Sequence, residues 1–246
     1  TNERKVTTYQ TKQFSTFTKD IKKLKQWLID NNCKDVCMES TGKYWIPIFN
    51  ILEDYCNVTI THPKYVKAIS GKKTDTKNSV WIADIFKPGL VEGSFMPHLA
   101  IRQLRDLMRY RLKLVNCKSS EKNRFQNSLT VSNIMISNIV TGTFGKTSKS
   151  ILELILSKED NVTLEEITPL LRKKLKSSPQ EILDSIEGIL THEQNSKMKV
   201  CLSHYDNILE CINDIEQAVL PLIQPFQNEI KLILIVPGVK DISAIT

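Results

Sequence analysis

Two acidic residues, Glu39 and Asp75, stand at positions that suit a divalent metal site. Glu39 ends the apolar tract of residues 36–38 and precedes a Ser-Thr-Gly turn signal, so we expect it at the end of a buried strand. Asp75 follows Thr74, a suitable N-cap, so we expect it in the first turn of a helix, with Asn78 three residues later on the same face. Carboxylate oxygens are the ligands that Mg²⁺ prefers. If the strand end and the helix start meet, Glu39 and Asp75 can hold one ion between them.

Each acid also has a plainer interpretation when it is taken alone. A glutamate after a strand is usually a solvated turn residue, and an aspartate in the first turn of a helix is usually a cap. The metal interpretation therefore depends on the elements that position Glu39 and Asp75.

The first third of the chain alternates between strand and helix patterns. Residues 4–16 are rich in threonine and aromatic residues and predict one or two antiparallel strands. The pattern then predicts helices over residues 17–30, 44–55 and 75–86, short strands over 36–39 and 58–60, and a loop or short helix over 64–70. Because parallel strands need long crossover connections, this alternation predicts a three-layer α/β domain with a parallel sheet. Sites in such sheets form at the carboxyl ends of strands, where Glu39 falls.

Two long amphipathic helices are predicted in the rest of the chain. Apolar residues recur at coiled-coil spacing over residues 101–129, and a second helix covers residues 198–219 and ends at Pro221. Between them we expect a flexible joint at residues 141–150 and short helices over residues 151–190. The two long helices can pack antiparallel, or each can pair with another copy of the chain, and the sequence does not choose.

Two short tracts superficially look like phosphate-binding turns. Residues 142–147 resemble a phosphate loop, but the glycines are too close together for GxxxxGK[ST], so we reject this match. Residues 236–239 form a hydrophobic-Pro-Gly-hydrophobic turn that resembles the first half of a helix-hairpin-helix, which is weak evidence on its own.

The positive charge is concentrated in one region. The net charge is +7, and residues 1–92, 93–150 and 151–246 contribute +5, +8 and −6. The spacing of Arg102, Arg105, Arg109 and Lys113 places them on one face of the first long helix. Lys118 and Lys122 continue the basic character further along the same helix. With only Asp106 and Glu121 in the same stretch to pair them, we expect a phosphate-tracking surface rather than a solvated helix face. Lys72 and Lys73, just before Asp75, are further nucleic-acid-binding candidates.

The composition also excludes some classes of protein. No apolar run approaches the roughly 20 residues that a membrane span needs, so we expect no membrane partner. The six cysteines are scattered without a second pair at zinc-finger spacing, which favours free thiols in the cytoplasm. The chain begins at Thr1 and ends in mid-pattern, so we expect a fragment or a processed chain.

Six tracts resemble motifs of the DEDD-type insertion-sequence transposases. These proteins are site-specific DNA recombinases that a bridge RNA guides, with a RuvC-like, ribonuclease H-fold amino half. The tracts lie at residues 38–45 (Met-Glu-Ser-Thr-Gly-Lys-Tyr-Trp), 71–75, 81–84, 93–97, 102–107 and 235–239. They occur in the family's order over nearly the whole chain, so the resemblance is specific.

This resemblance implies a fold and a domain organisation. Residues 1–92 would form a RuvC-like domain that lacks its opening strand, and residues 93–228 a helical, coiled-coil-like linker. Residues 229–246 would begin a small helical transposase domain.

The resemblance also implies an activity, DNA strand cleavage and joining with Mg²⁺ and a guide RNA. The family's glutamate and third acid correspond to Glu39 and Asp75, which would be catalytic and bind the metal, whereas the fourth acid position holds Asn78. The first aspartate would precede Thr1 and the serine nucleophile would follow Thr246, so we expect a truncated chain that cannot recombine DNA alone. Expected partners are DNA, a bridge RNA and further copies through the long helices. The alternatives are a non-catalytic nucleic-acid-binding module and a helical scaffold without a nucleic-acid role.

Overall fold

The computed structural model describes residues 7–66, 75–140, 142–158, 161–171 and 177–245, with Asp75 and Thr76 described by their backbone only. The chain divides into two units, Thr1–Pro97 and His98–Thr246. Among the described residues, the first unit mixes helices with a small sheet, and the second is helical. The three domains predicted from the resemblance, with borders after residues 92 and 228, stay predictions.

The first unit contains two strands and four helices in its described part. They are α1 (Thr18–Asp30), β1 (Asp35–Glu39), α2 (Trp45–Leu52), β2 (Asn57–Thr61), α3 (Pro63–Val66) and α4 (Asp75–Phe86). The predicted helices and both strands are therefore confirmed. β1 and β2 are parallel, as predicted, and their register places Glu39 opposite Thr61 at the carboxyl ends.

Apolar packing holds α1 and α2 on one face of this sheet. Leu28 of α1 and Leu52 of α2 are buried in one cluster, against which Val36 and Val58 of the two strands pack. Since strand side chains alternate between faces, Glu39 and Thr61 belong to the other face. Thr61 is fully buried, so that face is also covered at its carboxyl end.

Two sequence expectations for this unit were wrong in part. The described residues 7–16 form no strand, and side chains hold this segment instead: the Tyr9 hydroxyl donates to Asp84 at 2.6 Å, and the Phe14 and Trp27 rings lie 5.9 Å apart. Strand propensity is realised only where a partner strand supplies hydrogen bonds, and no strand of the described ranges pairs with this segment. The described sheet has two strands, smaller than the predicted one. The α/β class is confirmed, whereas the ribonuclease H or RuvC-like fold stays a prediction.

The described part of the second unit consists of helices and short turns. The helices are α5 (Leu99–Val131), α6 (Lys146–Ser157), α7 (Leu164–Ile167), α8 (Pro179–Ile186), α9 (His192–Ile223), α10 (Gln227–Leu234) and α11 (Asp241–Ile245). Single 3₁₀ turns lie at Ile136–Asn138, Thr168–Leu170 and Gln224–Phe226. Both predicted long helices are confirmed, with 33 residues in α5 and 32 in α9.

The long helices α5 and α9 pack against each other in antiparallel orientation. Glu121 of α5 contacts His204 of α9, and Arg111, earlier in α5, contacts Glu216, later in α9. The antiparallel alternative that the sequence left open is therefore found within one chain. Pairing with another copy through these helices stays a prediction.

Two apolar clusters stabilise this helix pair. The larger one joins α6, α7, α8 and the first half of α9 to the end of α5, where Phe125 and Leu129 are fully buried. The smaller one joins Leu104 and Met108 of α5 to Val219 and Ile223 of α9.

Two details of this unit differ from the sequence expectation. The second long helix continues past Pro221 to Ile223, although this proline cannot donate the backbone hydrogen bond to the preceding turn. The expected joint at residues 141–150 is helical from Lys146, and the side chain of Ser148 is buried. The turn after α10, with Gly238 at a φ of +88°, is followed by the short helix α11, and the likeness of this turn to a helix-hairpin-helix stays a prediction.

Candidate functional site

Glu39 occupies the carboxyl end of β1, as predicted. It is half-buried, and the Thr41 hydroxyl donates a hydrogen bond to its Oε1 at 2.5 Å. Gly42 follows with a φ of +56°, a left-handed conformation that lets the chain turn away directly after the strand. The local sequence Glu-Ser-Thr-Gly therefore fixes the orientation of one carboxylate oxygen and leaves the other without a described partner.

Asp75 is the first residue of α4, and this helix packs against β1. The elements that carry Glu39 and Asp75 are thus in contact within the first unit. The Asp75 side chain, Thr74, Lys72 and Lys73 lie outside the described residues. The Glu39–Asp75 pair therefore stays a prediction.

The resemblance places Asn78 at the position of the fourth acid. The residue is half-buried, and its buried Oδ1 has no hydrogen-bond partner among the described residues. The same is true of Thr61 Oγ1, directly across from Glu39 in the strand register. A buried polar group without a partner costs about 1–3 kcal/mol, so such oxygens are suited to a bound donor or cation.

The oxygen atoms of Glu39, Thr61 and Asn78 are of the kind that Mg²⁺ binds. Carboxylate and amide oxygens are hard ligands, and Asn78 offers an oxygen that nothing else in the described chain uses. Among the side chains that the structure describes, no group of three or more His, Cys, Asp and Glu residues could hold a metal ion, and Asp75 is not among those side chains. Burial raises the pKa of the nearby Cys37 thiol, which therefore stays protonated and is a poor ligand.

The sequence interpretation missed Thr61. The signal was present, because residues 58–60 predict a strand parallel to β1, and the residue that ends it must lie beside Glu39. Threonine carries no charge, so it was not considered as a site residue.

The basic face of α5 is only partly exposed. Arg105, Arg109 and Lys113 are exposed, whereas Arg102, Lys118 and Lys122 are half-buried. No described carboxylate lies within 4.0 Å of Arg105, Arg109 or Lys113, so these three cations are available to an anionic partner.

Some basic residues of α5 pair with acidic residues of α9. The sequence prediction considered only acidic residues within α5 itself and so missed these partners. Arg111, which interrupts the apolar stripe, bonds Glu216 at 2.6 Å. Arg124 bonds the buried Glu121 on its own helix. Lys122 lies over two aromatic rings, 5.4 Å from the centre of Phe144. The cationic surface is therefore narrower than the sequence predicted and is centred on Arg105, Arg109 and Lys113.

None of the helices in the described ranges is long and apolar enough to cross a membrane.

Comparison with models of protein families identifies a match. A family model described as "Transposase", for the DEDD transposases of the IS110 type, matches residues 2–134. The matched region contains the whole first unit from residue 2 onward and all of α5. No curated protein matches the chain.

Proposed function

The chain belongs to the IS110-type family of DEDD transposases, and on this premise we propose that its first unit carries part of a Mg²⁺-dependent site for DNA strand cleavage and joining. At family level it is an insertion-sequence transposase, and transposases bind DNA. The motif at residues 38–45 and the helix that begins at Asp75 both fall inside the matched region.

One observation carries this proposal: α4 packs against β1, so the backbone of Asp75 starts the helix that lies on the strand ending in Glu39. In the proposed site Glu39 and Asp75 supply the negative charge, and Thr41 orients the Glu39 carboxylate. Asn78 supplies a neutral oxygen. When bound, Mg²⁺ would orient and polarise a phosphodiester.

Asn78 is expected to weaken this site. A carboxylate attracts a divalent cation through its full charge, whereas an amide oxygen offers only a dipole. We therefore propose that this chain binds Mg²⁺ weakly and cleaves DNA poorly.

The exposed cations of α5 are proposed to bind nucleic acid. Arg105, Arg109 and Lys113 recur at helical spacing, so they can follow a phosphate backbone along the helix. The family resemblance implies two nucleic-acid partners, DNA and a guide RNA. We propose that the chain binds both.

Magnesium titration by calorimetry tests the metal site. Asn78→Asp restores the fourth carboxylate, so we expect Mg²⁺ to bind about tenfold more tightly than to the wild type. Glu39→Gln in the same background should remove the gain. Asn127→Asp adds the same charge to an exposed position of α5 and should leave the affinity unchanged.

Asn78 also favours a second candidate, a nucleic-acid-binding module without catalysis. If Asn78→Asp gives no heat at millimolar Mg²⁺ while the chain still binds DNA, only this module remains. If Asn78→Asp and Asn127→Asp raise the affinity equally, the gain reflects net charge, and the site is not where we propose it.

A further inference from the structure

An open pocket lies in the second unit, between α5, the loop before α6, and α9. It encloses about 430 Å³, and its lining combines cationic, amide and aromatic side chains with a glycine-rich loop. The residues are Lys122, Asn123, Gln126, Phe144, Tyr205 and the loop 142–145. This volume is in the range of small-molecule sites, about 300–1,000 Å³.

Two aromatic rings and one ammonium group form one side of the pocket. The centres of Phe144 and Tyr205 are 4.5 Å apart, with ring planes inclined by 40°. The Lys122 ammonium lies 5.4 Å from the first ring centre and 5.6 Å from the second. Tyr205 is buried and Phe144 is half-buried, so this side offers mainly the exposed part of the Phe144 ring next to a positive charge.

Hydrogen bonds hold the loop in place. The Thr143 hydroxyl donates to Gln126 Oε1 at 3.1 Å, and Gln126 Nε2 donates to Ser137 Oγ at 3.0 Å. The Ser148 hydroxyl donates to the Gly142 carbonyl at 2.9 Å. The pocket is thus largely preformed, which lowers the entropy cost of filling it.

The pocket continues the exposed face of α5. Asn123 lies eighteen residues after Arg105, which is five helical turns, so the two share one face. Lys113 precedes Asn123 by about 15 Å along the helix axis. The Asn123 side chain is exposed and makes no hydrogen bond within the described residues.

We propose that this pocket takes one unpaired nucleobase of the nucleic acid that α5 binds. A base is a flat π-system that stacks on aromatic side chains whatever its sequence. The free amide of Asn123 matches the donor and acceptor groups of a base edge, and Lys122 supplies charge for the attached phosphate. An acidic peptide would use only the lysine and leave the rings and the amide without partners. The inference rests on the proposed binding of nucleic acid by α5.

Fluorescence of 2-aminopurine in single-stranded oligonucleotides tests the pocket with the full chain. The adenine analogue is placed at each position in turn, in DNA and in RNA, so the two arms show which polymer supplies the base. We expect quenching at one position when the chain binds. Phe144→Leu should abolish this quenching and weaken binding about tenfold.

An abasic residue at the quenched position gives the decisive comparison. Wild type and Phe144→Leu should bind the abasic oligonucleotide equally, because there is no base to stack. Since Phe144 also packs against the core, Asn123→Ala, at an exposed helix position, serves as the second variant. It should weaken binding of the complete oligonucleotide and not of the abasic one.

The combined variant Arg105→Gln, Arg109→Gln separates the two proposals. If it weakens binding while Phe144→Leu and Asn123→Ala change nothing, α5 binds nucleic acid and the pocket proposal is wrong. If none of these variants weakens binding, the proposed role of α5 fails and the pocket proposal fails with it. If no position is quenched in either polymer, the pocket takes no base.

Discussion

Two buried side-chain oxygens of the first unit connect the proposed metal site with stability. Asn78 Oδ1 and Thr61 Oγ1 are buried without partners among the described residues. A cation bound there would satisfy such oxygens in the folded state only, so metal binding and stability of the first unit would be linked. The link is testable in Asn78→Asp, where the added carboxylate would make the unit depend more strongly on Mg²⁺.

Glu166 gives a pH prediction at the same scale. The Lys158 ammonium, at 2.6 and 2.8 Å, is the largest cause that lowers the pKa of Glu166 from 4.5 to about 2, followed by the Thr163 backbone N–H. A folded pKa below the unfolded one means that stability is present above pH 4.5 and is lost as the pH falls toward 2. Glu166→Gln should flatten the dependence of the unfolding free energy on pH in this window, measured by urea denaturation.

Glu165→Gln is the matched control for this measurement. It removes the same charge from the same short helix, but Glu165 has no ion pair among the described residues. If Glu165→Gln flattens the profile as much as Glu166→Gln, the effect is a general one of net charge and not of the Lys158 contact.

At the scale of elements, periodicity predicted most of what the structure contains. The spacing of apolar residues located α1, α2, α5 and α9, because each buries one face. It could not assign Glu216 as the partner of Arg111, because that contact joins positions 105 residues apart. It also did not anticipate that α9 would continue through Pro221.

Strand prediction failed where a strand depends on a partner. Residues 58–60 became β2 because β1 lies beside them, whereas residues 7–16 have similar propensity but pair with no strand in the described part of the chain. At the site, the backbone positions of Glu39 and Asp75 were predictable from local signals. The burial of Thr61 and Asn78 was not, because it depends on how the helices cover the sheet.

Gly188 gives a prediction about the packing of the second unit. A Cβ at this position would lie 2.3 Å from the Ser132 carbonyl oxygen, which accepts a hydrogen bond from Ile189 N. Gly188→Ala must move the connection between α8 and α9 away from the end of α5, so we expect a loss of about 1–3 kcal/mol in the unfolding free energy. Urea denaturation measures it.

Gly142→Ala is the control, because a Cβ at Gly142 meets nothing within 4 Å. It should change the unfolding free energy little. Because Gly→Ala lowers the entropy of the unfolded chain, that term alone would stabilise both variants slightly. Equal losses in the two variants would therefore contradict a specific cost of the contact with Ser132.

Over the whole molecule, the distribution of charge is more informative than its sum. The net charge of +7 conceals a basic region at residues 93–150 and an acidic one after it. Part of that acidic charge neutralises the basic region directly, through Glu216 with Arg111 and Asp206 with Lys149. The exposed cations of α5 that remain, Arg105, Arg109 and Lys113, therefore form a defined strip along the helix and are not spread over the whole surface.

The salt dependence of DNA binding tests this strip. Each phosphate that a cation neutralises releases bound counterions, so the logarithm of the affinity falls with the logarithm of salt concentration by about 0.9 per contact. Replacing Arg105, Arg109 and Lys113 together by glutamine should weaken binding of duplex DNA and make that slope shallower by about 2–3. The matched control replaces Lys197, Lys199 and Lys231, exposed residues of α9 and α10, and removes the same charge. If the strip and not the net charge contacts phosphates, as we propose, the control should keep the wild-type slope. Equal slopes in the two triple variants would contradict a localised nucleic-acid surface on α5.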